Sequence, residues 1–314
     1  MRIDVLLVSS IYDFSTDLVV QELEKRQVSY FRLNKEEFEN YRLTIDIHEK
    51  ALEIIANDIV YEITSSVKSI YFRQPVFLRN TPSSGLEISE QLSRSQWMGF
   101  LRSLVIFDKA GWINRPEAAY LAETKAYQLV VANDIGFKIP KTLIGNNANR
   151  FQCFENKVII KSLDTILLRE ADECLFTYST IKCSEDLHDE NVSAAPLTVQ
   201  NYVTSKIDIR VTIIGNKLIA VKITSGGKGI EEDWRTTDRS KIEYNEIQLP
   251  TDIEDKCFEL LDRLNLNFGA IDLLLSNGKY TFIEVNPTGE WGWLVNSQRR
   301  FDIDIANWLE RGGL

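Results

Sequence analysis

The chain has 314 residues, of which 44% are apolar and 26% are charged, as expected of a globular protein with a sizeable core. Its net charge of -10 argues against general nucleic-acid binding, because a phosphate backbone requires a concentrated basic surface. No stretch approaches the roughly 18 uninterrupted apolar residues of a membrane helix, and the start, "MRIDVLLVSS", predicts a strand rather than a signal peptide. Four scattered cysteines and two histidines form no zinc pattern, so reduced thiols in a cytoplasmic protein are expected.

Residues 1–115 predict a first α/β unit. "IDVLLVSS" is typical of a buried strand, "STDLVVQELEKRQ" of an amphipathic helix with a Ser/Thr cap, and "VSYFRLN" of a second strand, which together favour a parallel βαβ crossover. Further strands are expected in "YRLTIDIHEKALEIIAN" and "DIVYEITSSVKSIYFRQP", and a long amphipathic helix in "GLEISEQLSRSQWMGFLRSLVIF". No G-x-G-x-x-G follows the first strand, which argues against a dinucleotide-dependent redox enzyme.

Residues 116–196 predict a small central unit. A helix is expected from about Pro116 to Asn133, followed by an edge strand in "GFKIPKTLI" and a short strand, "NKVIIKSL", that carries Lys161. Residues 169–194 are polar and irregular, which predicts a mobile part of this unit.

Residues 197–314 predict a third unit made mainly of antiparallel strands. The strands "LTVQNYV", "KIDIRVTIIG" and "KLIAVKI" come first, with a hairpin turn at Gly215-Asn216. The helix "DIEDKCFELLDRLNL", the hairpin "GAIDLLLSNGKYTFIEVNP" and the helix "DIDIANWLERGG" follow, and the last helix is expected to end at its glycines.

The hairpin near the end of the chain places polar and apolar residues on separate faces. The odd-numbered positions are apolar, namely Ile271, Leu273, Leu275, Ile283 and Val285, and the even-numbered positions include Asp272, Glu284 and Asn286. Both odd sets can share one core only if the loop has an odd number of residues, which predicts a three-residue turn at Ser276-Asn277-Gly278. The pattern therefore predicts that Asp272, Glu284 and Asn286 converge.

Two carboxylates and one amide oxygen form a hard oxygen site, for which magnesium with nucleotide phosphates is the natural occupant. The alternative is a solvated polar face on an ordinary hairpin. A second strand points the same way, because Asp208 and Arg210 share one face of "KIDIRVTIIG" and suit a ribose and a phosphate. Each polar residue also has a structural interpretation when taken alone: a surface Asp-Arg pair there, a strand-end lysine at Lys161, and a helix-surface lysine at Lys125.

The ordered set of Lys125, Lys161, "VQNYV", "DIR", "GAID" and "FIEVNP" resembles the ATP-grasp superfamily over residues 115–290. Within it the chain is similar to the ribosomal-protein-S6-modifying and glutathione-synthetase-like ligases. It is closer to the microviridin-type ligases that make graspetides, to which "DWR" at 233–235 and "NPTGEWGWL" at 286–294 point. Many members carry a Gly-rich loop after the second lysine, whereas "SLDTILLREADECLFTYS" contains no glycine.

The resemblance implies an α/β ATP-grasp fold with an N-terminal parallel domain, a central lid subdomain and a C-terminal antiparallel domain. It also implies roles for individual residues. Those that would bind ATP are Lys125 and Lys161 at the phosphates, Gln200, Tyr202 and Val203 at the adenine hinge, and Asp208 at the ribose. Those that would act in catalysis are Arg210 at the transferred phosphoryl group, Arg235 at the acyl phosphate or substrate carboxylate, and Lys222 as its assistant. Those that would hold magnesium are Asp272, Glu284 and Asn286.

The implied activity is an ADP-forming ligation that uses ATP and magnesium. Acidic side chains of a ribosomal precursor peptide with a leader segment would become acyl phosphates, and Lys, Ser or Thr side chains would attack them to close amides or esters, with residues 162–195 as a lid. The alternatives are a ligase that acts on a free amino acid and a non-catalytic nucleotide sensor. No nucleic-acid or membrane partner is expected, and a homodimer is one candidate assembly.

Overall fold

The computed structural model describes residues 1–73, 87–163, 167–170, 173–176, 179–188, 192–231 and 233–313. Across these ranges, no helix has both the length and the apolar character needed to cross a membrane. Parts of the predicted lid at 162–195 lie outside the described residues, so its role is not tested by this structure.

The N-terminal unit is built on a parallel sheet, as its βαβ pattern predicts. The sheet has the order β2-β1-β6-β7, with strands β1 (Val5–Ser9), β2 (Tyr30–Asn34), β6 (Ser69–Phe72) and β7 (Gly111–Ile113). An antiparallel sheet beside it contains β3 (Arg42–Asp46), β4 (Ala51–Ala56) and β5 (Ile59–Ile63). Helix α1 (Phe14–Lys25) joins β1 to β2, and α2 (Ile88–Ser103) precedes β7. The side chain of Asp13, rather than a Ser or Thr, caps α1 by accepting from the backbone N–H of Thr16.

The central unit begins with two helices where the sequence predicts one. Helix α3 (Pro116–Ala122) ends before Thr124, whose backbone is extended, and α4 (Lys125–Asp134) starts at the next residue. This break places Lys125 in the first turn of α4. The elements that follow are β8 (Thr142–Gly145), α5 (Ala148–Phe151), β9 (Lys157–Lys161), β10 (Leu167–Glu170), β11 (Glu173–Phe176), β12 (Thr180–Cys183) and β13 (Leu197–Asn201).

Strand β13 pairs antiparallel with both β8 and β9, which gives the central sheet the order β12-β9-β13-β8. The strand therefore belongs to this sheet, although it lies beyond residue 196, where the sequence-based division ends the central unit. Its last residue, Asn201, donates its backbone N–H to the carbonyl of Lys141 at 3.0 Å. The chain leaves the central sheet at this point and enters the C-terminal sheet.

The C-terminal unit is an antiparallel sheet with helices packed against it. Its order is β16-β15-β14-β17-β18, with strands β14 (Ile207–Ile214), β15 (Lys217–Ser225), β16 (Ile242–Ile247), β17 (Phe268–Ser276) and β18 (Lys279–Asn286). The helices are α6 (Thr251–Arg263) and α7 (Phe301–Arg311). Ile214 pairs with Lys217, which confirms the Gly215-Asn216 turn, and α7 ends at Gly312 in the left-handed conformation.

The two faces of the C-terminal sheet have different neighbours. Ile209, Val211 and Ile271 lie on one face, in a buried cluster that also contains residues of α4 and α6. On the other face, Phe268 and Val221 join a second cluster with β1 and α7. The polar side chains of β14 and β17 share this second face, so the candidate site lies where the face leaves the apolar cluster.

Candidate active site

The hairpin β17–β18 brings the predicted carboxylates together, but by a different device from the one predicted. Ser276 pairs with Lys279, so the turn has two residues and the predicted three-residue turn is wrong. The register shifts between the pairs Leu273–Phe282 and Asp272–Glu284, which leaves Ile283 as the extra residue of a β-bulge. A two-residue turn alone would put Asp272 and Glu284 on opposite faces of the hairpin. The extra residue of the bulge shifts the register by one, so that Asp272 and Glu284 become direct cross-strand partners.

The bulge also exchanges the roles of two apolar neighbours. Phe282 is fully buried and packs against Phe137 with ring centroids 5.6 Å apart, whereas Ile283 is only half-buried. The expectation that Ile283 faces the core is therefore wrong. Ile283 instead lines a narrow cavity with Lys125, Lys161 and Glu284.

Glu284 is surrounded by cations from separate elements. The Nζ of Lys125, at the start of α4, donates to Glu284 Oε2 at 3.1 Å, and Lys161 at the end of β9 lines the same cavity. Burial alone would raise the pKa of the Glu284 carboxyl, but Lys125, Lys161 and Arg235 outweigh it and hold that pKa well below its usual range. Glu284 is therefore an anion that is available as a metal ligand at neutral pH.

The pKa of Lys161 is lowered as well, but here burial is the dominant cause. Burial lowers the pKa of its ammonium group; Glu284 opposes this shift, while the like charge on Lys125 adds to it. Lys125 and Lys161 line one cavity with the single carboxylate of Glu284. An incoming polyphosphate would supply further negative charge.

The cavity also contains buried polar atoms without protein partners. It is lined by Thr198 and Gln200 of β13, and its volume is ≈ 10 Å³. The Nε2 of Gln200 donates to the hydroxyl of Thr142 at 3.0 Å, but its Oε1 and the Thr198 hydroxyl have no hydrogen-bond partner among the described residues. Because unpaired buried polar groups are costly, these atoms suit a ligand that fills the site.

Gln128, on α4, belongs to the site although it was not predicted. Its Oε1 accepts from the backbone N–H of Val285 at 2.6 Å, and its Nε2 donates to the carbonyl of Ala122 at 3.0 Å. This buried amide fastens α4 to β18 and thereby holds Lys125 beside Glu284. The available signal was a glutamine one helical turn after Lys125, beside the apolar run "LVV".

Asp272 is paired with the predicted arginines. Arg210 lies opposite it in the sheet and donates from Nη1 to Asp272 Oδ1 at 2.8 Å. Arg235 reaches Asp272 Oδ2 at 3.7 Å from the short 3₁₀ helix Trp234–Thr236, and Asp233 fixes it at 3.2 Å. Burial alone would lower the pKa of Arg235, but Asp272 and Asp233 outweigh it and raise that pKa. The second arginine is thus a permanent cation beside the metal-ligand candidates.

The remaining nucleotide-binding candidates lie around this centre. Asn286 donates to Glu284 Oε1 at 3.4 Å, and Asp208 forms a 2.7 Å ion pair with Lys206. Burial raises the pKa of Asp208, while Lys206 opposes the shift. The hydroxyl of Tyr202 donates to the side chain of Glu231 at 2.8 Å, which ties the predicted hinge to the loop after β15.

The half-buried Val203 follows Tyr202 in this hinge. Lys222 does not join the cluster. It pairs with Ile209, whose side chain lies in the apolar cluster against α4 and α6, whereas Arg210 pairs with Val221. Directly paired residues share a face, so Lys222 lies on the opposite side of the sheet from Arg210. The role of assistant to Arg235 that was expected for Lys222 is therefore not carried further.

An aromatic group extends the site beyond Arg235. The rings of Trp234 and Trp293 are 5.0 Å apart, and Tyr244 packs against Trp293 at 5.1 Å. The guanidinium of Arg235 lies over the Trp234 ring, 5.0 Å from its centroid. The loop that carries Arg235 is thereby fixed against the segment after β18.

The first part of that segment, residues 287–292, is called the connector here. It joins the metal-ligand candidates of β18 to a buried aromatic residue, Trp291, whose Nε1 donates to the hydroxyl of Tyr71 at 3.2 Å. Asn114 donates to the carbonyl of Pro287 at 2.7 Å. Trp291 is a core residue, whereas Trp293 is half-buried and lies in the aromatic group.

The donor set fits magnesium. Two carboxylates and an amide converge at the end of β18, and no group of three His, Cys, Asp or Glu side chains that could hold a metal occurs in the part of the chain that the structure describes. A magnesium ion at Asp272, Glu284 and Asn286 would thus need further oxygens from water and phosphate, which is its usual coordination in nucleotide enzymes. The surrounding cations suit the phosphates of the same nucleotide.

Known structures share this architecture over nearly the whole chain. An ATP-grasp ligase of Chryseobacterium gregarium, described as RiPP-associated and in complex with ADP and a leader and core peptide, matches with a TM-score of 0.82 and 23% identity, covering 98% of this chain and 96% of that one. The macrocyclase MdnC of Microcystis aeruginosa, bound to its precursor peptide MdnA, matches with a TM-score of 0.80 and 24% identity, covering 97% and 98%.

A more distant match is D-alanine–D-alanine ligase of Bacillus anthracis in complex with ATP, with a TM-score of 0.55 and 14% identity over 92% of this chain and 86% of that one. No protein-family model matches the sequence, and no curated protein sequence matches it. The structural matches confirm the fold expected from the ordered lysine, arginine and carboxylate motifs. This chain has the ATP-grasp fold.

Proposed function

We propose that the protein is a magnesium-dependent, ADP-forming ligase that cross-links side chains of a ribosomally made precursor peptide. The observation that carries the proposal is the convergence of Asp272 and Glu284 within one group of cations, Lys125, Lys161, Arg210 and Arg235. The matches to peptide ligases over 97% or more of the chain support a peptide substrate. The reaction belongs in the cytoplasm, where ATP is supplied.

The proposed reaction has two steps. A carboxylate oxygen of a Glu or Asp side chain of the peptide attacks the γ-phosphorus of ATP, and the bond to the β-phosphate oxygen breaks to release ADP. A hydroxyl or amine of the same peptide then attacks the acyl phosphate carbon. The bond between the acyl carbon and the bridging phosphate oxygen breaks, the departing phosphate takes the proton, and an ester or amide remains.

The residues of this chain position and neutralise charge rather than react. Lys125 and Lys161 would bind phosphate oxygens, and Gln200, Tyr202, Val203 and Asp208 would hold the adenosine. Asp272, Glu284 and Asn286 would hold magnesium, which supplies electrostatic stabilisation of the phosphates.

The two arginines would divide the chemistry between them. Arg210, fixed by Asp272, faces the phosphoryl group in transfer, and Arg235 binds the substrate carboxylate and then the acyl phosphate. The aromatic group of Trp234, Trp293 and Tyr244 lies next to Arg235 and would contact the peptide chain around the reacting residue.

The test is co-expression with small peptides encoded beside the gene, followed by mass spectrometry. The proposal expects a co-expressed peptide that loses the mass of one water for each bond formed. In a separate reaction, the unmodified peptide should form hydroxamate when purified protein, MgATP and hydroxylamine are added. Activity on free amino acids alone would favour an amino-acid ligase. MgATP binding without ADP formation on any of these substrates would leave a nucleotide sensor.

A further inference from the structure

Arg73, in the N-terminal unit, is completely engaged by protein groups. Its side chain is 5% exposed, and its Nε donates to Asp13 at 3.0 Å. Its Nη1 donates to the carbonyl of Thr288 at 3.0 Å, and its Nη2 pairs with the carboxylate of Glu290, which also accepts from the hydroxyl of Ser15 at 2.6 Å. Because each guanidinium nitrogen has a protein partner, Arg73 acts on the connector rather than on a ligand.

The other side of the same connector residues faces Arg210. The carbonyl of Glu290 accepts from Arg210 Nη2 at 3.2 Å, while Arg210 Nη1 pairs with Asp272 at 2.8 Å. Two acceptors on two nitrogens determine the rotation of a planar guanidinium. The Nε of Arg210 is buried and has no hydrogen-bond partner among the described residues, so this group keeps one unused donor.

Gly289 lies between these contacts and is needed for space. Its φ angle is not in the left-handed region, so a glycine is not required there by the backbone conformation. A Cβ at this position would lie 2.6 Å from the Cβ of Ala270 and 2.9 Å from Arg210 Nη2. The connector can therefore approach the guanidinium only because residue 289 has no side chain.

We propose that Arg73 and Gly289 are positioning residues for Arg210: Arg73 holds the Thr288–Glu290 backbone against the Arg210 guanidinium, and Gly289 permits the approach. The N-terminal sheet then sets the geometry of the phosphoryl-transfer site, although it contributes no group that touches the phosphate. This inference rests on the proposed function, since it takes Arg210 as the residue that meets the transferred phosphoryl group.

The test compares the affinities for MgADP with aluminium fluoride and for MgADP alone, since the fluoride complex imitates the transferred phosphoryl group. Wild-type protein should bind the fluoride complex more tightly. Arg73→Met should reduce that gain and the rate of ADP formation by about 100-fold, the cost of displacing a positioned group by about 1 Å, with the affinity for MgADP alone unchanged. Arg73→Lys should recover only part of the gain, because a single ammonium nitrogen lacks the planar fork with which three guanidinium nitrogens reach three separate acceptors.

The matched control is Arg26→Met, which removes a different arginine that joins α1 to α7 through Asn307 and Glu310. It should keep the full gain. An equal loss in Arg26→Met and Arg73→Met would overturn the inference, and so would an unchanged gain in Arg73→Met. If wild-type protein binds MgADP but binds it no more tightly when aluminium fluoride is added, the proposed role of Arg210 is contradicted. The inference about Arg73 and Gly289 then fails with it.

Gly289→Ala tests the same contact if Arg73→Met fails to fold. It should abolish the gain, whereas Gly145→Ala, at a glycine with no atoms within 4 Å of the added Cβ, should keep it. Adding Ala270→Gly to Gly289→Ala removes the overlap with the Cβ of Ala270, the closest one, but keeps those with Arg210 Nη2 at 2.9 Å and with the Cβ of Asn286 at 3.1 Å. The double variant should regain thermal stability but not the gain in affinity; recovery of both would overturn the positioning role.

Discussion

The two carboxylates of the site are direct neighbours in one hairpin, yet their surroundings are built differently. Glu284 faces cations that come from a helix and from a separate sheet, Lys125 on α4 and Lys161 on β9. Asp272 faces arginines that belong to its own unit, Arg210 on the adjacent strand and Arg235 on a loop. The Glu284 side therefore joins elements of two units, whereas the Asp272 side lies within one.

This difference agrees with a division of labour between nucleotide and acceptor. Buried Thr198 and Gln200 atoms without partners lie on the Glu284 side, where the adenosine and phosphates would enter. Aromatic rings lie on the Asp272 side, where the peptide would meet Arg235. The transferred phosphoryl group would then sit between the two carboxylates.

The largest expected effect comes from neutralising either carboxylate. Asp272→Asn and Glu284→Gln should each reduce magnesium-dependent ADP formation by about 100-fold or more, because each removes a metal ligand and a fixed negative charge. Glu246→Gln, at an exposed position on β16, is the control and should keep full activity. Turnover in Asp272→Asn equal to that of the control would refute the metal assignment.

The next experiment separates the two sides. Lys125→Met should weaken ATP binding by about 10-fold to 100-fold, the loss expected for one charge-assisted hydrogen bond, with little change in the rate at saturating ATP. Arg235→Ala should keep ATP affinity and stop ligation. Steady-state kinetics with varied ATP give both quantities, and identical profiles for the two variants would contradict the division.

The β-bulge makes a third contrast between adjacent residues. Phe282→Ala should lower the free energy of unfolding by about 3–5 kcal/mol, because it leaves a cavity in a fully buried cluster. Ile283→Ala should cost about 1 kcal/mol of stability and weaken ATP binding instead. Urea unfolding and nucleotide titration of the two variants measure these effects. A larger loss of stability in Ile283→Ala than in Phe282→Ala would show that the core and site positions are assigned the wrong way round.

The last contrast concerns the ion pair of Asp13 with Arg73, whose effect is on stability alone and depends on pH. Arg73 and the hydroxyls of Ser9 and Thr16 outweigh the effect of burial and lower the pKa of Asp13 to about 2 from 3.8. Because the pKa of Asp13 is lower in the folded protein than in the unfolded chain, its ionised form stabilises the fold at pH values above the unfolded pKa. This contribution disappears as the pH falls through about 2. Asp13→Asn should therefore cost about 2 kcal/mol at pH 6 and less at pH 3, measured by denaturant unfolding. A cost that does not depend on pH would contradict the ion pair.

Much of the fold follows from local patterns in the sequence. The parallel βαβ start, the Gly215-Asn216 hairpin and the polar face of β14 follow from periodicity and turn residues. The bulge does not, because Phe282 and Ile283 are both apolar and either can be assigned to the core. The face of Lys222 could have been derived, since a two-residue turn at Gly215-Asn216 pairs Arg210 with Val221 and puts Lys222 on the other side.

The site was predictable where the strands carry it and not where distant segments support it. Arg210 and Asp272 share a face that period two reveals, whereas Glu284 joins them through a bulge that the sequence did not reveal. The contacts of Arg73 with Thr288 and Glu290 join positions more than 200 residues apart, and no local pattern encodes such a pairing. The sequence "PTGEWG" of the connector therefore suggested a ligase branch. The contact of its Glu290 carbonyl with the Arg210 guanidinium is visible only in the structure.

The central claim is that one site activates a peptide carboxylate with ATP and then closes a bond. The most direct measurement is the product stoichiometry when purified protein, MgATP and the unmodified form of a peptide that becomes cross-linked in co-expression are combined. ADP, phosphate and side-chain cross-links should form in equal amounts, with the mass of one water lost for each cross-link. Formation of AMP and pyrophosphate, or of ADP without any change in peptide mass, would contradict the account.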